Sequence, residues 1–150
     1  MKTYTTDLIR NVALIGSTGA GKTMLAESML FEGKVIDRKG TIEGNSTVSD
    51  YSEIEQINHK SIYSTVLYTE FMDRKLNLFD TPGSDDFIGS VITSLTVADL
   101  AVMVVNAQHG VEVGTEIFAR WAMRAKRPMV LAINHLDHEK ANYEHTLESL

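Results

Sequence analysis

The most informative stretch of this sequence is Gly16-Ser17-Thr18-Gly19-Ala20-Gly21-Lys22-Thr23. It matches the pattern G-x-x-x-x-G-K-[ST] at every fixed position, and the glycines let successive backbone N–H groups point at a bound phosphate. Lys22 would contact the β- and γ-phosphates of a nucleotide, and the Thr23 hydroxyl would hold Mg²⁺. Residues 11–15, apolar from Val12 onward, predict a buried strand, and residues 24–30 have helical spacing. The loop therefore has the flanking strand and helix that this motif requires.

Length and composition narrow the class of protein. The chain has 150 residues, 43% of them hydrophobic, which is enough for one sizeable core and predicts one domain or most of one. Its 14 basic and 20 acidic residues give a net charge of −6, which argues against a general basic face for nucleic acid and against DNA as a partner. There is no cysteine, so disulfides, thiol nucleophiles and cysteine-bound zinc are excluded.

No targeting or membrane segment is evident in the sequence. The first ten residues lack the apolar core of a signal peptide, and the longest apolar run, 100–105, is too short to cross a bilayer. We therefore expect a cytoplasmic protein with no membrane partner.

The remaining pattern alternates strands with helices. Strands are predicted at 62–68, 75–79, 100–105 and 129–133, with a hairpin turn at 72–75 and with the last two strands buried. Residues 31–60 have no sustained period and predict a long functional or disordered loop. This order predicts an α/β fold of the P-loop NTPase type, with a doubly wound, mainly parallel sheet and helices on both faces.

Three further helices are predicted. One spans 84–96 with Phe87, Val91 and Leu95 on one face, and another spans 115–126 and ends before Pro128. Asp137 can cap a last helix. The inner face of that helix is predicted to be Ala141, Tyr143, Leu147 and Leu150.

Two polar motifs follow predicted strands, where ligands bind in such sheets. In Asp80-Thr81-Pro82-Gly83, Asp80 can reach Mg²⁺ through water and the Gly83 N–H can meet the γ-phosphate. In Asn134-His135-Leu136-Asp137, the Asp137 carboxylate can accept two hydrogen bonds from guanine, and the Asn134 amide can support the base edge and the loop. Adenine lacks that pair of donors. Three motifs in this order therefore predict binding of GTP or GDP together with Mg²⁺.

With these motifs the chain resembles the nucleotide-binding domain of a translational GTPase of the elongation factor G family, most of all a divergent elongation factor G-like subgroup. The resemblance spans residues 10–150. Besides the three motifs it is carried by Thr47-Val48-Ser49-Asp50-Tyr51, Ser61-Ile62-Tyr63 and Gly110-Val111-Glu112-Val113-Gly114-Thr115-Glu116.

The resemblance implies the roles of several segments. Residues 31–60 would be switch I and residues 80–89 switch II, and Ser61 stands where the family usually has a Mg²⁺-binding threonine. The implied Mg²⁺ ligands are Thr23, Ser61 and Asp80. The implied nucleotide contacts are Gly16, Ser17, Thr18, Gly19, Ala20, Gly21, Lys22, Thr23, Asp80, Gly83, Asn134, His135 and Asp137. The implied partner is the ribosome, whose large-subunit RNA would activate hydrolysis.

Three residues depart from the family's pattern. Ser84 stands where the family has a histidine that orients the attacking water, His135 where it has a lysine that packs along the base, and Gly19 where it has an aspartate. Loss of a water-orienting residue removes about 10² to 10⁴ in rate. We therefore expect a slow GTPase with Lys22 and Ser84 at its catalytic centre.

The resemblance further implies that 1–150 is the N-terminal portion of a longer multidomain factor that couples GTP to ribosomal translocation. Two alternatives stay open. One is a GTP-binding switch on the ribosome with little or no hydrolysis, and the other is a ribosome-protection or release-type factor on the same domain. His59 or His109 could supply a substitute imidazole, although each is expected at the surface.

Replacing Asp137 with asparagine tests the choice of base. We expect the wild-type protein to bind GTP and GDP at least about tenfold more tightly than ATP, because adenine cannot satisfy the carboxylate. The amide of the variant should weaken guanine binding and improve binding of xanthine, whose extra carbonyl can accept its N–H. Titration calorimetry measures both affinities, and equal wild-type affinities for ATP and GTP would contradict the prediction.

Overall fold

The computed structural model describes residues 2–150, which form a five-stranded sheet with helices on both faces. The strands are β1 (Ile9–Ile15), β2 (Thr65–Phe71), β3 (Arg74–Asp80), β4 (Leu100–Asn106) and β5 (Met129–Asn134). The α-helices are α1 (Lys22–Glu32), α2 (Glu53–Asn58), α3 (Ile88–Val97), α4 (Val113–Arg124) and α5 (Tyr143–Ser149), and short 3₁₀ helices span Thr6–Leu8 and Asp85–Phe87. None of the helices in this described part has the length and apolar character of a membrane span.

The sheet has the strand order β2-β3-β1-β4-β5. The central strand β1 pairs in parallel with β3 and β4, and β5 adds in parallel to β4. Only β2 is antiparallel, because it forms a hairpin with β3. Its two-residue turn, Met72 and Asp73, has positive φ at both positions, as tight hairpins require. The predicted doubly wound, mainly parallel α/β fold is confirmed.

One apolar layer lies on each face of the sheet. Alternate residues of a strand point to opposite faces, so β1 contributes to both layers. The layer under α1 consists of Val12, Leu14, Ala26, Leu30, Leu67 and Leu78. The layer under α3 and α4 consists of Ala13, Ile15, Val91, Leu95, Ala98, Ala101, Met103, Val105, Phe118 and Ala122. The end of β1 is therefore held from above and below.

The segment 31–60 contains a helix that the sequence analysis did not predict. At the start of α2 the Ser52 hydroxyl accepts a hydrogen bond from the Glu55 N–H, and the Glu55 carboxylate accepts one from the Ser52 N–H. This reciprocal capping box is visible in the sequence as Ser52-Glu53-Ile54-Glu55. The helix was missed because its six residues are too few for a helical period to stand out.

The helix predicted at 84–96 begins later than expected. Residues 85–87 form a 3₁₀ turn, and α3 begins at Ile88. Val91 and Leu95 are buried as predicted, but Phe87 is 37% exposed, because the 3₁₀ turn takes it out of the α-helical register.

The end of the chain differs most from expectation. The prediction that 129–133 is a buried strand is wrong: β5 is an edge strand, and Val130 is 55% exposed. Asp137 does not cap the last helix, because α5 begins at Tyr143 and the Asn142 side chain caps it. The buried residue of α5 is Thr146. The prediction that Ala141, Tyr143, Leu147 and Leu150 form the inner face of the last helix is therefore also wrong.

Truncation of Phe118 tests the packing between α4 and the sheet. This side chain is fully buried, so Phe118→Ala should lower the free energy of unfolding by about 3 to 5 kcal/mol. Met123→Ala on the same helix is the control, since Met123 is 62% exposed and its loss should change stability by about 0.5 kcal/mol or less. Urea denaturation measures both, and similar losses for the two variants would contradict the assignment of the core.

Candidate nucleotide-binding site

The glycine-rich loop 16–21 connects β1 to α1 at the carboxyl edge of the parallel strands. Gly16 has a φ of 139°, and a side chain there would collide with the Val104 carbonyl oxygen of β4. Only glycine combines that conformation with so close an approach. The loop therefore lies directly against the neighbouring strand.

Two asparagines from neighbouring strand ends also hold the loop. Asn134 Nδ2 donates to the carbonyl oxygen of Ala20 at 2.9 Å, and Asn106 Nδ2 donates to that of Gly19 at 3.5 Å. Asn106 was not predicted, although it is the last residue of β4 and the strand-end rule that found Asn134 would have found it.

Lys22 is buried inside the loop, with 6% of its surface exposed. Its ammonium group donates to the carbonyl oxygens of Gly16 and Ser17, each at 2.9 Å. Burial lowers the pKa of Lys22 to about 8, and the negative charge of Asp80 opposes that shift. A bound phosphate would supply the compensating charge that a buried ammonium group lacks.

Asp80 is buried at the end of β3, close to Lys22. Its Oδ2 accepts a hydrogen bond from Ser49 Oγ at 2.6 Å, while its Oδ1 is buried without a partner among residues 2–150. Burial raises the pKa of Asp80 to about 6, against the effect of the Ser49 hydrogen bond. Asp50 Oδ1 is likewise buried and unpaired within the described chain. Such buried carboxylate oxygens indicate a place for a cation or its water ligands.

Thr23 and Ser61 bring two hydroxyl groups together beside these carboxylates. Their oxygens are 3.2 Å apart. Adjacent ligands of octahedral Mg²⁺, each about 2.1 Å from the metal, are about 3.0 Å apart. The pair therefore fits two neighbouring positions on Mg²⁺. Across residues 2–150 no three Asp, Glu, His or Cys side chains form a metal cage, so the other ligands would be phosphate and water.

Lys22, Thr23, Asp50 and Ser61 line one cleft with a volume of about 490 Å³, a size suited to a small-molecule ligand. Asp80 is not among its lining residues. Ser84 lines the cleft, and its hydroxyl donates to Asp86 Oδ2 at 3.2 Å. His59 also lines the cleft, although its side chain is exposed, and His109 is exposed as expected. Asp137 is exposed and lies outside the lining. The predicted residues among the lining are Thr18, Gly19, Gly21, Lys22, Thr23, Ser61, Gly83, Ser84 and His135.

The His135 side chain lies beside Gly21 of the phosphate loop and lines the cleft. It has a positive φ of 59°, and its Nε2 would be 3.2 Å from a Cβ atom at Gly21. That nitrogen is buried and has no hydrogen-bond partner within residues 2–150. The imidazole therefore packs on the phosphate loop and carries a polar atom that a ligand could satisfy.

Ser49 and Asp50 are site residues that the sequence analysis missed. Both lie in the irregular part of 31–60 and follow no strand. They belong to the stretch 47–51 that carries the family resemblance, but the resemblance assigned them no role at the site. Their place beside Asp80 depends on a contact across 31 residues of sequence. No local pattern reports such a contact.

A glycine-rich loop between a parallel strand and a helix, with a buried lysine inside it and an aspartate at the adjacent strand end, defines a P-loop nucleotide-binding domain. The particular family follows from comparison with known proteins. The family model of the elongation factor Tu GTP binding domain matches residues 7–150. The chain therefore belongs to this family of translational GTPase domains, which bind guanine nucleotide.

Individual relatives agree with this assignment. The chain is 37% identical over 139 residues to an elongation factor G-like protein of Mycobacterium tuberculosis, covering 93% of this chain and 20% of that protein. It is 33% identical over 148 residues to peptide chain release factor 3 of Enterococcus faecalis, covering 96% and 28%. A crystal structure of a Thermus thermophilus protein matches with a TM-score of 0.91 and 34% identity, over 95% of this chain and 22% of that one.

These matches confirm the resemblance to elongation factor G-like proteins. The chain spans about a fifth of the length of the Mycobacterium tuberculosis relative. What the whole protein does is therefore a matter for proposal.

Gly83→Ala tests the contact between the Asp80–Gly83 turn and the phosphate loop. A Cβ atom at Gly83 would be 2.5 Å from both Lys22 Nζ and the Thr18 nitrogen. Overpacking of this kind costs about 1 to 3 kcal/mol of stability. Because the atoms that must move belong to Lys22 and the phosphate loop, GDP affinity should fall about fivefold or more. Gly89→Ala is the control, because no atom lies within 4 Å of its added Cβ. Calorimetry with GDP and Mg²⁺ measures both, and wild-type affinity in Gly83→Ala would refute the prediction.

Proposed function

We propose that this chain is the GTP-binding domain of an elongation factor G-like translation factor that couples GTP binding and hydrolysis to ribosomal translocation. The observation that carries the proposal is a cleft lined by Lys22, Thr23 and Ser61, with Asp80 buried close to Lys22, in a chain of this family. The chain would be the N-terminal portion, 1–150, of a longer cytoplasmic protein. Its switch segments would meet the large-subunit RNA of the ribosome, with no membrane or DNA partner.

The proposed roles follow the chemistry of each group. The N–H groups of residues 16–23 and the Lys22 ammonium bind the phosphates, and the Thr23 and Ser61 hydroxyls hold Mg²⁺, with Asp80 in contact through water. Bound Mg²⁺ neutralises charge on the transferring phosphoryl group.

The base contacts form the other half of the proposed site. Asp137 would accept the two guanine donors; it is exposed and lies outside the lining of the cleft. Asn134 keeps the loop in place through Ala20. His135 would contribute its ring in place of the family's lysine, and its Nε2 is buried without a hydrogen-bond partner within residues 2–150.

Ser84 sets the rate in this proposal. A serine hydroxyl is shorter than an imidazole by roughly one ring, and it cannot carry a positive charge when the phosphates of the ribosome approach. Its hydroxyl donates to the Asp86 carboxylate, so its single proton is already engaged. Phosphoryl transfer to water depends mainly on placing the nucleophile and stabilising charge, so GTP stays bound and turns over slowly.

The same serine favours a second candidate function. A GTP-binding switch would change shape on the ribosome and be released slowly, with hydrolysis vestigial. Release of phosphate over many turnovers in the presence of ribosomes separates this candidate from a GTPase. A release or ribosome-protection factor uses the same domain, and assays of peptide release and of antibiotic displacement from ribosomes distinguish it from a translocase.

Ser84→His tests the assignment of the slow step. In the full-length protein it should raise ribosome-stimulated GTP hydrolysis by about 10² or more, while GTP affinity changes by less than about 1 kcal/mol. Single-turnover hydrolysis with saturating ribosomes measures the rate. The matched variant is His59→Ala, because His59 lines the cleft together with Ser84 and is the histidine named above as a possible substitute. Its removal should leave the wild-type rate unchanged.

Two results would count against this prediction. Wild-type hydrolysis already as fast as that of a histidine-bearing relative would show that Ser84 is not limiting. A large loss of rate in His59→Ala would assign the water-orienting role to His59.

A further inference from the structure

Glu55 is a buried carboxylate that none of the proposed roles uses, with 1% of its surface exposed. Its Oε1 accepts hydrogen bonds from the N–H groups of Ile62 and Tyr63, at 3.0 and 3.1 Å. Its Oε2 accepts one from the Ser52 hydroxyl at 2.6 Å and one from the Ser52 N–H at 3.3 Å. One side chain therefore caps α2 and also holds the backbone that follows Ser61.

The ionised form of Glu55 is the form that this arrangement favours. Burial alone would raise the pKa of Glu55, but the hydrogen bonds from Ser52, Ile62 and Tyr63 outweigh it and lower the pKa below its usual value. Hydrogen bonds to an ionised acceptor are about twice as strong as neutral ones. The contact is thus a strong restraint on residues 62 and 63.

Apolar packing does little to hold this stretch. The Tyr63 side chain is 57% exposed, and Ile62 is only half-buried. A backbone segment is usually anchored by burial of its apolar side chains. Here the two hydrogen bonds to Glu55 anchor residues 62 and 63 instead. Ser61 precedes Ile62 directly, and its hydroxyl lies 3.2 Å from Thr23 Oγ1.

We propose that Glu55 is a positioning residue for Mg²⁺: by holding the N–H groups of Ile62 and Tyr63, it keeps the Ser61 hydroxyl beside that of Thr23. This inference rests on the proposed function, in which both hydroxyls hold Mg²⁺. It adds that formation of α2 and placement of Ser61 are coupled, because the same carboxylate serves both.

Glu55→Gln in the full chain is the test, and Glu53→Gln is the matched control. Glutamine keeps the size of the side chain and one carbonyl acceptor but loses the charge that strengthens the bonds. Glu53 lies in the same first turn of α2 and is exposed, so its replacement removes an equal charge from the same helix end without touching Ile62 or Tyr63.

Two measurements report on the two halves of the inference. Amide hydrogen exchange should show Ile62 and Tyr63 exchanging about tenfold faster in Glu55→Gln. The Mg²⁺ concentration that half-saturates retention of a fluorescent, non-hydrolysable GTP analogue should rise by about the same factor. Glu53→Gln should leave both values as in the wild-type protein.

A double variant separates positioning from general loss of stability. Ser61→Ala alone should raise the Mg²⁺ requirement without exposing the two amides to exchange. Adding Glu55→Gln to Ser61→Ala should then raise the requirement no further, because the hydroxyl to be positioned is gone. A merely structural role for Glu55 would add its effect in both backgrounds.

The outcomes that overturn the inference are distinct from those that overturn the proposed function. Retention of the GTP analogue that is independent of Mg²⁺ in the wild-type protein would overturn both. A normal Mg²⁺ dependence that Glu55→Gln leaves unchanged, or additive effects with Ser61→Ala, would overturn the inference alone. If Glu55→Gln does not fold, Glu55→Asp carries the same expectations, because it keeps the charge but is too short to reach both N–H groups.

Discussion

Burial of β1 on both faces is the constraint on which the site depends. Its last four residues are between 0% and 5% exposed, and they belong alternately to the two apolar layers. β1 is also hydrogen-bonded on both edges, to β3 and to β4, so its register is fixed by two neighbouring strands. Gly16 consequently emerges at a fixed point against Val104, and α1, which packs on the same sheet, begins at Lys22.

The charged groups at this edge of the sheet destabilise the folded chain when no ligand is bound. One buried ammonium group and two carboxylates lie together, and burial moves the pKa of Lys22 down and those of Asp80 and Asp50 up. All three shifts mean that burial disfavours the charged forms. Perturbed groups with unpaired oxygens cluster where a ligand completes the set. The apolar packing of the sheet offsets the cost of burying these charges, so the edge can hold groups that are arranged for binding a ligand.

The features that the sequence predicted well had a local signal. Of the features that it missed, the capping box of α2 and Asn106 at the end of β4 had one, and the others did not. The loop and the strand ends at Asp80 and Asn134 follow from spacing and apolar runs. By contrast, an apolar run such as 129–133 has the same pattern in a central strand and in an edge strand, so the exposure of β5 could not be inferred. Asp137 and Asn142 are equally good capping residues. The bond from Ser49 to Asp80 is visible only in three dimensions.

The segment 31–60 is fastened mainly by polar contacts. Glu27 of α1, which is buried, accepts the N–H groups of Gly40 and Val48 at 2.8 and 2.6 Å, whereas Tyr51 and Ile57 are 71% and 70% exposed. Polar contacts exchange with water at small net cost. The segment contributes no residue to the layer under α3 and α4 and only Ile36 to the edge of the layer under α1. Glu27 lies four residues after Thr23, on the same face of α1. One helix therefore joins the phosphate end of the site to the segment 31–60.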